Sequence, residues 1–213
     1  MDTGLFPHTD ILAHEIPLRA ADLFVERTRL IFRNGITSLI IHIIVGLMLV
    51  GVLWRRVPHA SLWQWLLVLV AITAARATLL CSYRRRQPAE LKLPMWLALY
   101  CVGATAAGLW WGLTVFLLAP QPNLITLVVL SFALGGLCLG ALGAMGFMLR
   151  VYVPFLLAAL LPLTVHFLWL RPEPGMSGLG VMLVAFIAAM IGLSASHRTV
   201  MTRAFTLAAR LAE

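Results

Sequence analysis

Six apolar stretches of about 20 residues each determine what this chain can fold into. A helix needs roughly 20 predominantly apolar residues to cross the hydrocarbon core of a bilayer, and only helices and closed barrels can span it. The stretches are Gly35–Trp54, Leu62–Ser82, Met95–Leu118, Leu124–Met148, Val151–Leu170 and Gly178–Ser196. The sequence therefore predicts an all-α membrane protein with six transmembrane helices.

The composition agrees with a membrane setting, since 62% of residues are hydrophobic and 11% are charged, against roughly 25% charged in soluble domains. The basic residues flank the apolar stretches, so the net charge of +8 predicts contact with membrane lipids and not with nucleic acid. Cys81, Cys101 and Cys138 are far apart and lack metal-ligand spacing. We predict no metal site and no cofactor.

The distribution of Lys and Arg predicts the orientation. If both termini are cytoplasmic, twelve basic residues lie on the inner side and three on the outer side, with Arg76 inside a span. An excess of basic residues marks cytoplasmic segments. We therefore expect both termini in the cytoplasm.

Three regions follow from this topology. Residues 1–34 are predicted to be a cytoplasmic segment ending in a juxtamembrane amphipathic helix, residues 35–196 a six-helix transmembrane domain, and residues 197–213 a helix continuing into the cytoplasm. The last region has no helix breaker, and its apolar residues follow the 4-3-4 spacing of a coiled-coil seam. These relay candidates are Val200, Ala204, Leu207 and Leu211. The seam predicts a homodimer; a plain amphipathic tail is the other interpretation.

Arg76 and His42 are polar residues inside predicted spans. Both lie about 10–12 Å from the inner end of their span at roughly 1.5 Å per residue. Together they would favour an anion, such as a lipid phosphate or the carboxylate of an acidic amphiphile. Alternatively, Arg76 extends toward the inner headgroups and His42 bonds a neighbouring carbonyl.

A second candidate ligand site lies toward the outer side. The tryptophans of "GLWWGL" and the polar and aromatic residues of "TVHFLWL" fall at similar depth and could line a pocket for an apolar or aromatic ligand. These residues are Trp110, Trp111, His166 and Trp169. The alternative is an aromatic belt at the membrane surface, which also suits Trp54, Trp63 and Trp65.

Glycines spaced by four residues occur in two spans. Gly136 and Gly140 form a GxxxG pair followed by Gly143, and Gly108 and Gly112 have the same spacing. Small residues allow helix backbones to approach closely. We expect these glycines to pack helices within the bundle, with a dimer face as the second possibility.

No motif of a known catalytic site occurs in the sequence. No Asp or Glu falls inside a predicted span, which argues against proton- or cation-coupled transport and against metal-dependent hydrolysis. The possible nucleophile and base residues Ser131, Thr164 and His166 are isolated from one another. This segment is therefore predicted not to be an enzyme, and a small multi-pass transporter or channel is the alternative function.

The order of these features resembles a known family. The chain has a charged helix "ERTRLIFRN" before the first span, an arginine in the second span before "YRRR", "GLWWGL" followed by "LLAPQP", and "FMLRVYVPFLLAALLPL" between the fourth and fifth spans. It ends in "SASHRTVMTRAFTLAARLAE". Over residues 26–213 it is similar to the N-terminal multi-pass sensory modules of bacterial sensor histidine kinases and diguanylate cyclases.

The resemblance implies a sensory role in the bacterial inner membrane. Such a module detects a small amphiphilic or aromatic signal, or a property of the membrane, and relays it through its last helix to a cytoplasmic kinase or cyclase, as in two-component systems. The sequence has no phosphoacceptor histidine box and no cyclase domain up to Glu213. Two interpretations follow: it is the membrane half of a longer protein that carries the enzymatic output, or it stands alone.

Overall fold

The computed structural model describes the backbone of residues 20–118, 124–170 and 176–211, and the side chains of residues 23–118, 125–170 and 176–203. These ranges are helical and contain no strand. The helices are α1 (Ala20–Leu53), α2 (His59–Arg86), α3 (Leu93–Gly112), α4 (Thr114–Leu118), α5 (Leu124–Met145), α6 (Leu149–Val165) and α7 (Met176–Leu211). Six of the helical segments are long and apolar enough to cross a membrane, which confirms the predicted all-α fold with six candidate spans.

Short connections make successive spans antiparallel, and they place most arginines at one end of the bundle. We call this the basic end: it contains the start of α1, α3 and α6 and the end of α2, α5 and α7. α2 ends there in Arg84–Arg86, where positive charge interacts favourably with the helix dipole. Gln87 then adopts a left-handed φ of 38° and ends the helix. The opposite end, which we call the far end, holds the turn between α1 and α2.

α3 and α6 are parallel and make the most extensive contact in the bundle. Gly108 and Gly112 of α3 permit it: a Cβ at Gly108 would lie 2.6 Å from the carbonyl oxygen of Phe155, and one at Gly112 would lie 2.5 Å from that of Ala158. No real side chain fits at these distances. The two glycines therefore set the separation of the central helix pair.

Two prolines inside α6 each remove a donor from the helix. Pro154 leaves the carbonyl of Arg150 without its usual i+4 N–H donor, and the thiol of Cys101 on α3 donates to that oxygen at 3.3 Å. Pro162 likewise leaves the carbonyl of Ala158 without its i+4 N–H donor. This carbonyl oxygen faces Gly112 of α3. α3 thus packs against both freed carbonyls, which is how a membrane helix tolerates proline.

The helix geometry changes four residues after Pro162. α6 ends at Val165, and His166–Leu170 form a π-helical turn. Gly180 of α7 lies against this turn, where an added Cβ would be 2.6 Å from Leu168 Cδ2. The π-helical turn and α6 are the main contacts of α7.

The amphipathic segment predicted before the first span is not a separate helix. α1 runs without interruption from Ala20 to Leu53, so residues 20–34 continue the span. Ile31 and Phe32 are fully buried, and the Phe32 ring stacks on Tyr83 of α2 at 3.7 Å. At Phe32 the segment therefore packs against α2 and α3 of the bundle. Residues 1–19 are outside the described residues.

The glycines of α5 do not pack helices together as we expected. Gly136, Gly140 and Gly143 are exposed, and a Cβ at any of them would meet nothing within 4 Å. The buried face of α5 is formed instead by larger residues such as Leu134, Leu137 and Cys138. The expectation was wrong for this helix because its glycine face points away from the other described helices.

Candidate functional site

Arg76 of α2 is enclosed in the middle of the bundle. Its side chain is 5% exposed. The aliphatic stem lies against Gly103 of α3, where an added Cβ would be 3.1 Å from Arg76 Cγ. The guanidinium carbon lies 5.8 Å from the centre of the Tyr100 ring, a cation–π contact. Protein surrounds this charge, so the alternative in which Arg76 extends along lipid to the headgroups does not describe its position.

The guanidinium of Arg76 is only partly satisfied. Its Nη1 is buried and has no hydrogen-bond partner in the part of the chain that the structure describes. The described acidic side chains, Glu26 and Glu90, are both exposed at the basic end. A buried charge without a carboxylate partner is costly, and in membrane proteins such a charge usually marks function.

An aromatic layer lies between Arg76 and the basic end. Tyr100 contacts Phe32 edge-on at 5.4 Å, and Phe32 also contacts Trp96 at 6.5 Å. Tyr83 completes the layer by stacking on Phe32 and meeting Trp96 at 5.7 Å. These rings connect α1, α2 and α3 at one level. Because Arg76 contacts Tyr100, a movement of Arg76 would displace a ring that packs against the other two helices.

His42 of α1 occupies the next level toward the far end. Its Nδ1 lies 2.7 Å from the carbonyl oxygen of Ser38, so Nδ1 carries the proton and donates it. Nε2 is then an acceptor in the neutral ring, and it is buried without a partner among the described residues. Arg76 and His42, which the sequence predicts at matched depth, are both buried inside the bundle.

Trp111 is, with Phe155 at 6.1 Å, an aromatic neighbour of His42, and its side chain is fully buried. Its ring meets His42 at 6.4 Å and Trp65 at 5.1 Å, both edge-on. Trp111 Nε1 has no partner among the described residues. The Trp111 ring, with its unpaired N–H donor, and the His42 ring, with its unpaired acceptor, are therefore in contact.

Trp65 and Trp110 are fixed by hydrogen bonds that join α2 to the end of α3 and the start of α4. Trp65 Nε1 donates to Thr114 Oγ1 at 3.0 Å, and Trp110 Nε1 donates to the carbonyl oxygen of Trp65 at 3.2 Å. Thr114 Oγ1 donates in turn to the Trp110 carbonyl at 3.3 Å. We call His42, Arg76, Tyr100, Trp111 and Trp65 the core polar cluster.

The predicted outer pocket is not assembled as expected. Trp111 belongs to the core polar cluster, whereas Trp169 is 72% exposed at the far end. His166 is buried in the π-helical turn and contacts the rings of Phe116 and Phe167 at 5.8 and 6.1 Å. The belt interpretation fits Trp54, Trp63 and Trp169, which are exposed, and fails for Trp65, which is buried. Equal depth did not place these residues on facing sides of their helices.

Tyr100, Phe32 and Thr114 also contribute to this region and were not among the predicted site residues. Tyr100 was detectable, because it lies seven residues from the start of α3 and Arg76 lies ten residues before the end of α2. On antiparallel neighbouring helices these positions fall at similar depth. Of the relay residues, Val200 is exposed, while Ala204, Leu207 and Leu211 lie on the described backbone of α7 and their side chains are outside the described residues.

The buried charge leads to a stability prediction. Arg76→Met should raise the free energy of unfolding in detergent or bicelles by about 1–3 kcal/mol, because methionine fills the same space without a desolvated charge. Denaturant titration monitored by tryptophan fluorescence would measure it. Arg76→Lys is the control, since it retains the charge and should give no gain. A loss of stability in Arg76→Met would contradict this prediction and show that the contacts of the guanidinium stabilise the fold.

Within the described residues no three His, Cys, Asp or Glu side chains are grouped as metal ligands. No family model, no curated protein and no solved structure matches this chain.

Proposed function

We propose that this chain is a membrane-embedded sensory module of the bacterial inner membrane, with the basic end and both termini in the cytoplasm. A small amphiphilic or aromatic signal, or a property of the membrane, biases the packing of the bundle. α7 relays the change to a cytoplasmic kinase or cyclase. The module has no catalytic activity of its own.

The observation that carries the proposal is the unbroken course of α7. The helix contains 36 residues, from Met176 to Leu211, which is about 54 Å at 1.5 Å per residue. The hydrocarbon core is only about 30 Å thick. One rigid helix therefore extends well past the membrane at the basic end, as an element that transmits rotation or sliding must.

The core polar cluster supports a bundle with two accessible packings. Arg76 Nη1, His42 Nε2 and Trp111 Nε1 are buried in apolar surroundings without partners among the described residues. Each unpaired group raises the free energy of this packing by about 1–3 kcal/mol. A rearrangement or a ligand that pairs them would be favoured, and a signal shifts the equilibrium to the extent that it binds one packing better than the other.

The surface of α7 supports a homodimer. It is the least enclosed of the six candidate spans, because only 17% of its most apolar stretch is buried inside the bundle. Large apolar residues such as Val181, Met182 and Leu193 remain exposed along it. A second copy of the helix packed on this face would place two α7 extensions side by side, which suits the apolar spacing that begins at Val200.

Disulfide crosslinking in native membranes tests the proposal. Single cysteines would be placed at each position from 198 to 211 in a Cys81→Ser background, because Cys81 is the exposed native thiol among the three. We expect crosslinking to peak every third or fourth residue. Arg76→Met should change which positions crosslink, since it removes the charge that disfavours the present packing.

The control is the Cys81→Ser background with no added cysteine, in which Cys138 is buried and the Cys101 thiol is hydrogen-bonded to Arg150. It should give no dimer band. Crosslinking without helical periodicity would contradict the proposed relay, as would a pattern that is unchanged by Arg76→Met.

A further inference from the structure

An open cavity of about 340 Å³ lies at the basic end, away from the core polar cluster. Three parts of the fold meet around it: the first turns of α1, the turn from α5 into α6, and the last part of α7. Each contributes one arginine to the lining, namely Arg27, Arg150 and Arg198. Phe24 and Phe147 are among its apolar walls.

Among the described residues, three arginines and no acidic side chain line the cavity. Of the described acids, Glu26 is exposed and Glu90 lies 3.7 Å from Arg29, outside the cavity. Three guanidinium groups around one cavity repel each other. An anion bound between them would attract all three and offset that repulsion.

Arg27 is held in place and still has a free donor. One of its terminal nitrogens donates to Thr202 Oγ1, which ties the start of α1 to α7. Its Nε is buried without a partner among the described residues. The side chain is therefore oriented by α7, and its guanidinium keeps an unpaired N–H at the wall of the cavity.

The start of α6 adds to the attraction. Leu149 and Arg150 are its first residues, so their N–H groups precede the intrahelical hydrogen bonds, which begin with Val151 and Tyr152 donating to Met148. The positive end of the helix dipole is thus directed to the same side of the bundle as the three arginines. An aromatic wall beside a cationic cluster suits a ligand with a phosphate and an apolar part.

We propose that this cavity binds a phosphate group, which bridges Arg27, Arg150 and Arg198 and so joins α1, α6 and α7. The phosphate can belong to an anionic phospholipid headgroup or to a soluble phosphate. The inference depends only on the fold and stands apart from the proposed relay, since a phosphate can bind whether or not α7 transmits a signal.

Native mass spectrometry with phosphatidylglycerol tests the lipid source. The variant Arg27→Gln/Arg150→Gln/Arg198→Gln should bind phosphatidylglycerol at least about tenfold more weakly than the unmodified chain, because each charge-assisted hydrogen bond lost is worth roughly a factor of ten. The matched control is Arg84→Gln/Arg85→Gln/Arg86→Gln. It removes three charges from the same end but outside the cavity, and it should keep its affinity.

Titration of lipid-free, detergent-solubilised protein with inorganic phosphate tests the soluble source. A rise in thermal midpoint that the cavity variant loses and the control keeps would support the proposal through a soluble phosphate. Equal behaviour of the two triple variants with both phosphatidylglycerol and phosphate would overturn it. If the cavity variant does not elute as a folded protein, Arg198→Gln alone provides the same comparison with Arg85→Gln, because both arginines are exposed.

Discussion

Trp111→Ala should lower the free energy of unfolding by about 3–5 kcal/mol, the usual cost of deleting a fully buried large aromatic side chain. Trp111 is 0% exposed and contacts both His42 and Trp65 edge-on. Alanine would leave a cavity between α1, α2 and α3 that the short connections prevent from closing. Denaturant titration in bicelles, followed by circular dichroism, would measure the loss.

Trp169→Ala is the matched control for this measurement. Both tryptophans were candidates for the same outer pocket, but Trp169 is exposed on the π-helical turn. Its removal should change the free energy of unfolding by less than about 0.5 kcal/mol, as for surface substitutions generally. A loss for Trp111→Ala as small as that for Trp169→Ala would mean that Trp111 is not in the core.

Gly112→Val should be the second severely destabilising substitution, with a loss of about 3 kcal/mol or more from overpacking. A Cβ at this position would lie 2.5 Å from the carbonyl oxygen of Ala158 and 2.8 Å from that of Ala159. Backbone atoms cannot move aside as a flexible side chain can, so α3 and α6 would have to separate. Denaturant titration in the same bicelles would report the effect.

Gly136→Val separates this contact from the general cost of placing valine in a helix. The spacing around Gly136 and Gly140 is the same as around Gly108 and Gly112, but nothing lies within 4 Å of a Cβ at Gly136. We expect its free energy of unfolding to stay within about 0.5 kcal/mol of the unmodified chain. A large loss at Gly136 would place that face against another helix, including one from a second copy.

The number and positions of the spans could be predicted from sequence, because a helix that crosses hydrocarbon needs a minimum length of apolar residues, and length and composition can be read directly from the sequence. Which face of a span is buried could not. Lipid and protein core are equally apolar, so α5 carries no polar stripe to mark its outer side, and its glycines suggested a contact that the structure does not make.

The candidate site could be predicted in part for the same reason. Polarity in an apolar span is conspicuous, and it identified Arg76 and His42. Tryptophan is ambiguous because it is common both in cores and at membrane surfaces. Trp65 and Trp169 have the same residue type and similar sequence surroundings, yet one is buried and the other exposed. Only the rotation of each helix about its axis distinguishes them.

The limited packing of α7 has a consequence for biosynthesis. Because its contacts are mostly with α6 and the π-helical turn, the other five spans can complete their shared interior before the last one docks. Membrane insertion proceeds from the N-terminus, so α7 enters the membrane after the five spans that precede it. A chain truncated before Met176 should accordingly remain inserted and escape proteolytic clearance for longer than one truncated before α6.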